Sequence, residues 1–288
     1  MTDPSYAHRG EPADGAASVN GAAPADRAAS ANGAVSPNGA APADEAAAAN
    51  GAASADAASA TKGGGRARKA ARAAAARRRT GRRLFAFDRA LGHRFVAGAD
   101  EAGRGCLAGP LVAAAVLFDY ERLSLSDLRS LTQLNDSKQH TAEAREELFP
   151  RVLRAATAVA VTSRCVRGID ERGLHNTNLA ALSDVLVRVG REGCICLSDG
   201  FPVPATGFEQ RPVVGGDATS ASIAAASVIA KVTRDRFMHR MEERYPGWDF
   251  GVHVGYSTPE HRAAIERLGV SPLHRLSFQS MAYQQLAL

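Results

Sequence analysis

Short apolar runs and amphipathic stretches alternate along the chain from residue 84 onward. A run of about four to eight apolar residues between turn-forming residues is typical of a buried strand. On this pattern we predict five strands, and the first two follow each other with little room for a helix between them. The predicted strands cover residues 94–100, 109–118, 156–166, 194–200 and 211–217.

Apolar positions three and four residues apart predict four helices between and after these strands. Thr141 and Thr258 stand where an N-cap is expected, and Gly190 follows the end of the second predicted helix. This order of elements favours an α/β fold: a mixed five-stranded sheet with helices on both faces and a helical segment at the C-terminal end. The predicted helices cover residues 141–156, 176–190, 218–244 and 259–268.

The composition changes sharply before residue 84. Residues 1–61 contain 24 Ala but only four larger apolar side chains, and they repeat the heptapeptide NGAAPAD. Such a segment cannot bury enough apolar surface to offset the entropy of ordering it. We therefore predict a disordered tail or linker over residues 1–61, while the remaining chain is long enough for one sizeable core.

The positive charge of the chain lies in one short segment. Residues 1–61 carry a net charge of −5, residues 62–83 carry +10, and residues 84–288 are neutral overall. The segment over 62–83 is rich in Arg and Ala and lacks large apolar residues for packing on a core. Two interpretations stay open. The segment is either an arm whose positive side chains repel each other until nucleic-acid phosphates neutralise them, or a solvated basic spacer. We accordingly divide the chain into a tail, a basic arm and one catalytic domain over 84–288.

Several protein classes are excluded on composition. The sequence has no run of about 18 strongly apolar residues, so we expect no membrane span. The N-terminus lacks a basic segment followed by an apolar block, which argues against a secretory signal. Four Cys in 288 residues are too few for a disulfide scaffold and fit a reducing compartment. We expect a cytoplasmic protein that acts as a monomer.

Acidic residues stand at the ends of two predicted strands. Asp100 and Glu101 follow the first strand, and Asp199 ends the fourth. Ligand sites form at the strand ends of open α/β sheets. Because neighbouring strand residues point to opposite faces, Asp100 and Glu101 can share a site only if the strand breaks there, and Gly103 and Gly105 allow a break. Clustered carboxylates repel each other unless a cation lies between them, and oxygen-only ligands suit Mg²⁺ or Mn²⁺.

A further acid, Asp235, lies on the long predicted helix, and two interpretations of it are open. Beside Arg234, Arg236 and Arg240 it would form a surface ion pair. Alternatively, the small residues of the segment 222–231 let the helix approach the sheet closely enough to bring Asp235 near the strand-end acids.

Three other features are candidate substrate contacts. The turn Gly103–Arg104–Gly105 could expose backbone amides to a phosphate or a sugar hydroxyl. Lys138, in the polar run NDSK, could contact a phosphate, although that run also suits a capping loop. Tyr256, on a Gly-flanked loop, could stack on a sugar or base, or be an ordinary half-buried surface residue.

Taken together, these features resemble one family, the bacterial type 2 ribonuclease H (ribonuclease HII). The resemblance spans residues 98–278, and its motifs occur in the family's order. The matching segments are GADEAGRGCLAGPLVAAAV at 98–116, LNDSK at 134–138, LSDG at 197–200, GDATSASIAAASVIAKVTRDRFM at 216–238, GYSTPEH at 255–261 and SPLHRLSF at 271–278.

The resemblance implies a ribonuclease-H-like sheet and a metal-dependent endoribonuclease. Such an enzyme cuts the RNA-containing strand of RNA–DNA hybrids, including single ribonucleotides in duplex DNA, with two metal ions, leaving 5′-phosphate and 3′-hydroxyl ends. The resemblance also implies that residues 103–105 contact the ribonucleotide 2′-hydroxyl and that Tyr256 packs on the neighbouring deoxyribose. The implied catalytic and metal-binding residues are Asp100, Glu101, Asp199 and Asp235, with Mg²⁺ or Mn²⁺ as the ion.

This chain departs from the family pattern at several positions near the implied site. None of the departures removes an implied metal-binding carboxylate, but the loss of basic side chains favours a compensating role for the arm over 62–83. The departures are Cys106 in place of Pro, Ser198 in place of an apolar residue, and Gly215, Thr219 and Val254 in place of frequent Lys.

Two other functions remain alternatives. One is a different ribonuclease-H-like nuclease, such as a resolvase or DNA exonuclease; the other is a non-enzymatic nucleic-acid-binding protein in which the basic arm carries the function. Cleavage of a duplex with one internal ribonucleotide would distinguish them. The C-terminal residues 285–288 loosely resemble the peptides that dock on bacterial sliding clamps, or else form a frayed helix end.

Overall fold

The computed structural model describes the chain from the basic arm to just before its C-terminus. The tail predicted over 1–61 and the C-terminal peptide over 285–288 lie outside the described residues, so the predictions made for them stay predictions. The residues described are 71–72, 75, 79–135, 137–204 and 206–278.

Five strands form one mixed sheet, which confirms the predicted fold class. The strands lie in the order β3-β2-β1-β4-β5; β2 is antiparallel to both β1 and β3, whereas β4 is parallel to β1 and to β5. The central strand β1 therefore lies between an antiparallel neighbour and a parallel one. The strands are β1 (Phe95–Ala102), β2 (Leu111–Asp119), β3 (Ala158–Arg164), β4 (Cys194–Asp199) and β5 (Glu209–Val213).

Helices cover both faces of this sheet. Among the described residues no helix is both long and apolar enough to cross a membrane. The helices are α1 (79–90), α2 (Leu125–Ser130), α3 (Ala142–Ala155), α4 (Val166–Arg172), α5 (Leu174–Val189), α6 (Ala221–Arg244), α7 (Phe250–His253) and α8 (Pro259–Leu268), with single 3₁₀ turns at Ser137–Gln139 and Gly216–Ala218.

Helix α6 lies on one face of the sheet at very short range. A Cβ placed on Gly98 of β1 would come 2.2 Å from the backbone nitrogen of Ile223. The buried run of Ala and Ser in the first half of α6 gives that face a thin side-chain layer. The predicted close approach of helix and sheet is therefore correct. Helix α5 packs on the opposite face through buried residues such as Leu182 and Val185.

The predicted helix ends are correct where a side chain supplies the cap. Thr141 accepts a hydrogen bond from the amide of Ala144, and Thr258 accepts one from His261. Helix α5 ends before Gly190 as predicted, but this glycine has φ −62°, so it is not the left-handed cap that usually ends a helix. Its small size is needed instead because a Cβ there would lie 2.2 Å from the ring of Phe208.

Two predicted boundaries differ from the structure by more than two residues. The fifth strand ends at Val213 rather than at residue 217. Gly215 adopts a left-handed conformation, φ 62°, and turns the chain into the 3₁₀ turn at Gly216–Ala218. Helix α6 consequently begins at Ala221, with the Ser220 side chain as its N-cap, rather than at residue 218.

Helix α1 ties the end of the basic arm to the core. Leu84 and Phe85 are buried, and the Asp88 carboxylate accepts hydrogen bonds from Tyr120 at 2.8 Å and from the backbone of Ser222 at 2.9 Å. Burial raises the pKa of Asp88. The boundary proposed between residues 83 and 84 thus falls inside one helix, and the end of the arm is held by the first turn of α6.

Candidate active site

The three predicted strand-end acids lie together at the ends of β1 and β4. The parallel ladder between these strands ends at the pair Ala99 and Ser198, so Asp100 and Asp199 are the next residues on two neighbouring strands. The break that Gly103 and Gly105 would allow does not occur at Glu101, because β1 continues through Ala102, paired with β2. The strands part on the β4 side alone, and this opens the sheet beside the acids.

Asp100 faces α6 and is almost fully buried. Its side chain is 7% exposed, and its Oδ1 accepts the backbone amide of Glu101 at 2.7 Å. Burial raises the pKa of Asp100 to about 8; the carboxylates of Glu101 and Asp199 add to the rise, whereas a hydrogen bond with Ser227 opposes it. A buried acid beside two other acids is stabilised as an anion when a cation binds next to it.

Glu101 points to the opposite face, towards α5, as strand alternation requires. Burial raises the pKa of Glu101, while the nearby charge of Arg104 and a hydrogen bond with Asn178 lower it. The Arg104 Nη1 lies 3.5 Å from Glu101 Oε1. The charge of Asp199 raises the pKa of Glu101 as well as that of Asp100. Asp199 therefore interacts electrostatically with both acids of β1, although these point to opposite faces.

Asp199 brings a further acid to this edge. Its Oδ1 accepts the backbone amide of Gly216 at 2.7 Å, which fastens the 3₁₀ turn to the end of β4. The next residue of the turn, Asp217, is 7% exposed, and its Oδ2 lies 3.9 Å from Lys138 Nζ. Lys138 also lowers the pKa of Glu101, so Lys138 lies close to both acids.

Asp235, predicted as the fourth metal-binding acid, is not brought to this edge. On α6 it follows Ser227, which contacts Asp100, by eight residues, or about 12 Å along the helix axis. Its Oδ1 accepts a hydrogen bond from Lys231 Nζ at 2.8 Å, and its Oδ2 lies 3.5 Å from Arg145 Nη2. The ion-pair interpretation therefore describes Asp235, although the partners differ from the neighbouring arginines that it named.

Asp217 is the acid that the sequence interpretation overlooked. It had been placed at the end of the fifth predicted strand, where the strand-end rule that selected Asp100 and Asp199 applies equally. Among the described residues, no three acidic, His or Cys side chains converge on one point at ligating distance. Carboxylates repel one another, and this repulsion keeps them apart until a cation binds between them.

The turn at residues 103–105 follows β1 directly. Gly103 has φ 91°, and a Cβ there would lie 2.1 Å from Arg234 Nε, so only glycine fits. Gly105, in contrast, has open space where a Cβ would be. The Arg104 guanidinium lies 5.4 Å from the ring centroid of Phe201, in addition to its contact with Glu101.

Two fully buried arginines hold the segment after this turn, although the sequence analysis names Arg234 only as a surface ion-pair partner of Asp235. Arg234 donates to the carbonyls of Ala108 at 2.9 Å and Pro110 at 3.0 Å. Arg275 donates to the carbonyls of Arg104 at 3.1 Å and Gly109 at 2.8 Å. Guanidinium groups offer five donors in a rigid fork, so each arginine fixes several backbone carbonyls at once.

Lys138 and Tyr256, the remaining predicted substrate contacts, both have accessible side chains. Lys138 is 78% exposed, and Tyr256 is 39% exposed. The Nζ of Lys231 lies 5.0 Å from the centroid of the Tyr256 ring. The Tyr256 carbonyl accepts a hydrogen bond from His261 Nδ1 at 2.8 Å, which anchors the loop that presents the ring.

A mixed five-stranded sheet with acids at the ends of its central strands defines a nuclease of the ribonuclease-H-like fold. The family model described as Ribonuclease HII matches residues 97–281. This chain therefore belongs to the ribonuclease HII family, whose members are metal-dependent endoribonucleases that hydrolyse RNA in RNA–DNA hybrids.

Relatives named Ribonuclease HII match over most of their length. The chain is 45% identical to the protein of Rhodococcus erythropolis over 186 residues, covering 65% of this chain and 80% of the relative. It is 47% identical to the protein of Mycobacterium avium over 183 residues, covering 64% and 77% respectively. The tail and the basic arm lie outside the residues matched by the family model.

Solved structures show the same fold. The ribonuclease H2 of Pyrococcus horikoshii is similar with a TM-score of 0.57 and 27% identity, covering 67% of this chain and 96% of that structure. The RNase HII in the PCNA:RNase HII complex of Archaeoglobus fulgidus has a TM-score of 0.55 and 28% identity, covering 65% and 96%.

Proposed function

We propose that this ribonuclease HII cuts the RNA-containing strand at single ribonucleotides in duplex DNA as well as in longer hybrids, by a two-metal-ion reaction that leaves 5′-phosphate and 3′-hydroxyl ends. The observation that carries the proposal is the meeting of Asp100, Glu101 and Asp199 where β1 and β4 part. The reaction needs no covalent intermediate, so no nucleophilic Ser or Cys is required.

We assign the fourth carboxylate of the site to Asp217 in place of Asp235. The hydrogen bond from Gly216 to Asp199 places Asp217 directly beside the end of β4. The four acids supply only oxygen ligands, and this donor set fits Mg²⁺ or Mn²⁺ and not zinc. When bound, the ions activate water and stabilise the leaving oxygen. The carboxylates would hold the ions, and the hydrogen bond with Ser227 of α6 orients the Asp100 carboxylate for that role.

Substrate recognition is assigned to the side chains and amides around these acids. Gly105 has open space beside its Cα, so its backbone can approach the ribose 2′-hydroxyl, the group that distinguishes RNA from DNA. Arg104 and Lys138 each lie between an acid and solvent and are placed to meet phosphate oxygens. The accessible ring of Tyr256 packs on the neighbouring deoxyribose and so reports the RNA–DNA junction.

The basic arm over 62–83 is proposed to bind duplex phosphates beyond the active site. Gly215 and Val254 stand where relatives of this type frequently carry Lys, so the folded domain has fewer cations to offer. The arm runs into α1, whose buried Leu84 and Phe85 connect it to the core, so phosphate binding by the arm retains substrate near the site.

The cleavage assay compares three duplexes: one with a single internal ribonucleotide, one RNA–DNA hybrid, and one all-DNA duplex. We expect Mg²⁺-dependent or Mn²⁺-dependent cutting of the first two, with products that carry 5′-phosphate. Asp199→Asn should abolish cutting while hybrid binding persists. Cutting of the all-DNA duplex would favour the resolvase or exonuclease alternative, and metal-independent binding without turnover would favour the non-enzymatic one.

A sliding-clamp contact is kept as a weaker proposal. The related Archaeoglobus fulgidus RNase HII was solved in complex with PCNA. Residues 285–288 of this chain lie outside the described residues, and a pull-down with and without the last five residues tests them. A cytoplasmic, monomeric state likewise stays a proposal, and size-exclusion chromatography and cell fractionation test it.

A further inference from the structure

Two ion pairs connect α3 to α6 side by side. Arg145 pairs with Asp235, and the next residue on each helix forms the reverse pair, Glu146 with Arg236. The two pairs differ in burial: the side chains of Arg145 and Asp235 are 13% and 15% exposed, whereas Glu146 and Arg236 are each 46% exposed. An exposed ion pair contributes little to stability, whereas the pair of Arg145 and Asp235 is largely shielded from solvent.

Arg145 links Asp235 to the turn that carries Lys138. Its Nη1 donates to the carbonyl of Ser137 at 3.0 Å and to that of His140 at 2.7 Å. These two carbonyls flank Lys138, so the guanidinium clamps the backbone on both sides of it. The Ser137 hydroxyl lies 2.7 Å from that of Ser227, the residue that contacts Asp100. The clamped turn is therefore also joined to the acidic edge.

The second partner of Asp235 faces the other substrate-binding residue. Lys231 Nζ is 2.8 Å from Asp235 Oδ1 and 5.0 Å from the centroid of the Tyr256 ring. A cation over a tyrosine ring is attracted by the negative face of the ring. Burial lowers the pKa of Lys231, and the hydrogen bond that Lys231 donates to Asp235 opposes that effect. Asp235 thus keeps a charged ammonium group against the ring.

The two cations repel each other without Asp235 between them. Arg145 acts to lower the pKa of Lys231, which is the sign of this repulsion. One carboxylate therefore holds in place two side chains of like charge, each in contact with a different part of the substrate-binding surface. Each cation meets a different oxygen of Asp235, Lys231 at Oδ1 and Arg145 at Oδ2.

We infer that Asp235 is a positioning residue that couples the Lys138 turn, through Arg145, to the Tyr256 ring, through Lys231. This inference rests on the proposed function, because that proposal assigns Lys138 to a phosphate and Tyr256 to the deoxyribose. Loss of the Asp235 charge should release both contacts together and leave the metal-binding acids in place. Substrate binding, not metal binding, is then the property that Asp235 controls.

The test compares full-length D235N with the wild-type protein by hybrid binding in EDTA and by cleavage at saturating Mg²⁺. We expect Kd and KM for an RNA–DNA hybrid to rise about tenfold, as for one lost charge-assisted contact, with kcat lowered less than about threefold. The Mg²⁺ concentration for half-maximal rate should not change. E146Q removes the neighbouring pair between the same two helices and should keep wild-type values.

A double-mutant cycle separates positioning from general destabilisation. K138Q should raise KM in the wild-type background and add clearly less in the D235N background, because Lys138 is already displaced there. D235E should recover part of the lost affinity. If D235N fails to fold by circular dichroism, R145Q replaces it in the same cycle, since that change leaves the Lys231–Asp235 pair intact.

Three results would overturn the inference: additive KM penalties, unchanged KM in D235N, or a D235N enzyme with a higher Mg²⁺ requirement and a kcat as low as that of D217N. The last result would restore Asp235 as a metal ligand. A wild-type protein that binds the hybrid without cutting it would refute the proposed function alone, and the Kd comparison in EDTA would still decide the role of Asp235.

Discussion

The backbone amide of Gly216 donates a hydrogen bond to Asp199 Oδ1 at 2.7 Å and thereby places Asp217 next to the end of β4. The contact joins residues 17 positions apart in sequence. It depends on the left-handed Gly215, which ends β5 and turns the chain back towards the acids. The assignment of the fourth carboxylate follows from this contact.

Asp217→Asn tests that assignment. The change removes one charged oxygen ligand and keeps the shape of the side chain, so we expect kcat to fall at least about 100-fold and the Mg²⁺ requirement to rise. Asp184→Asn is the control, because Asp184 lies on α5 and pairs with Arg188 of the same helix and with Arg164 of β3. Wild-type turnover in the Asp217 variant would remove this residue from the metal site.

The histidine cluster behind Tyr256 should make the folded state less stable at acidic pH. His261 Nε2 lies 3.1 Å from His274 Nε2, and His261 stacks on His253 with ring centroids 4.0 Å apart. Burial lowers the pKa of both His261 and His274 to about 4. Because these folded-state values lie below the ordinary value of about 6.5, unfolding takes up protons, and the stabilisation present above pH 6.5 is lost as the pH falls towards 4.

The size of this loss follows from the shift. Each ring lowers the free energy of unfolding by up to about 3 kcal/mol at pH 4, relative to its value above pH 6.5. The neutral ring of His261 donates a hydrogen bond to the Tyr256 carbonyl. We expect the midpoint of urea denaturation to fall steeply between pH 6.5 and 4, and His274→Gln to flatten that dependence. His239→Gln, at an exposed position, should leave it unchanged. An equally steep profile in the His274 variant would show that other groups cause the loss.

Gly98→Ala should destabilise the fold. The added methyl would lie 2.2 Å from the backbone nitrogen of Ile223, so α6 must move away from β1, at a cost of about 1–3 kcal/mol or more. Thermal unfolding measures the loss. A wild-type Tm in this variant would mean that the helix yields without cost.

Gly105→Ala should separate stability from substrate binding. A Cβ at this position meets no atom within 4 Å, and its φ is not in the left-handed region, so the Tm should stay within error of the wild type. If the ribose 2′-hydroxyl approaches this backbone, the methyl group obstructs it, and KM for a single-ribonucleotide duplex should rise about tenfold. Unchanged KM would exclude a close approach at Gly105.

The basic arm predicts a salt dependence that charge removal should reduce. Replacing Arg66, Arg68, Lys69 and Arg72 with Gln in the full-length chain removes four cations and leaves Leu84 and Asp88 of α1 intact. A plot of the logarithm of the binding constant against the logarithm of the salt concentration has a negative slope. This slope should become less steep by up to about 0.9 for each lost phosphate contact. An identical slope in the variant would favour the solvated-spacer interpretation.

Local patterns correctly predicted the elements that carry the site. The apolar runs before Asp100 and Asp199 are the buried strands β1 and β4, and the caps at Thr141 and Thr258 are in place. The structure places Asp235 in a buried ion pair, because the close approach of α6 to the sheet is set by its first half, near Gly98. The rise of the helix then carries Asp235 away from the acids.

The sequence by itself determined the periodicities, the caps, the strand-end acids and the family motifs, since each of these depends on residues within a few positions of one another. Only the tertiary structure showed which further acid lies beside Asp199 and which one forms a buried ion pair. Those outcomes depend on contacts between residues far apart in the chain, such as Arg145 with Asp235 and Lys138 with Asp217. Strand register and helix placement set such contacts, and both follow from packing the whole core at once.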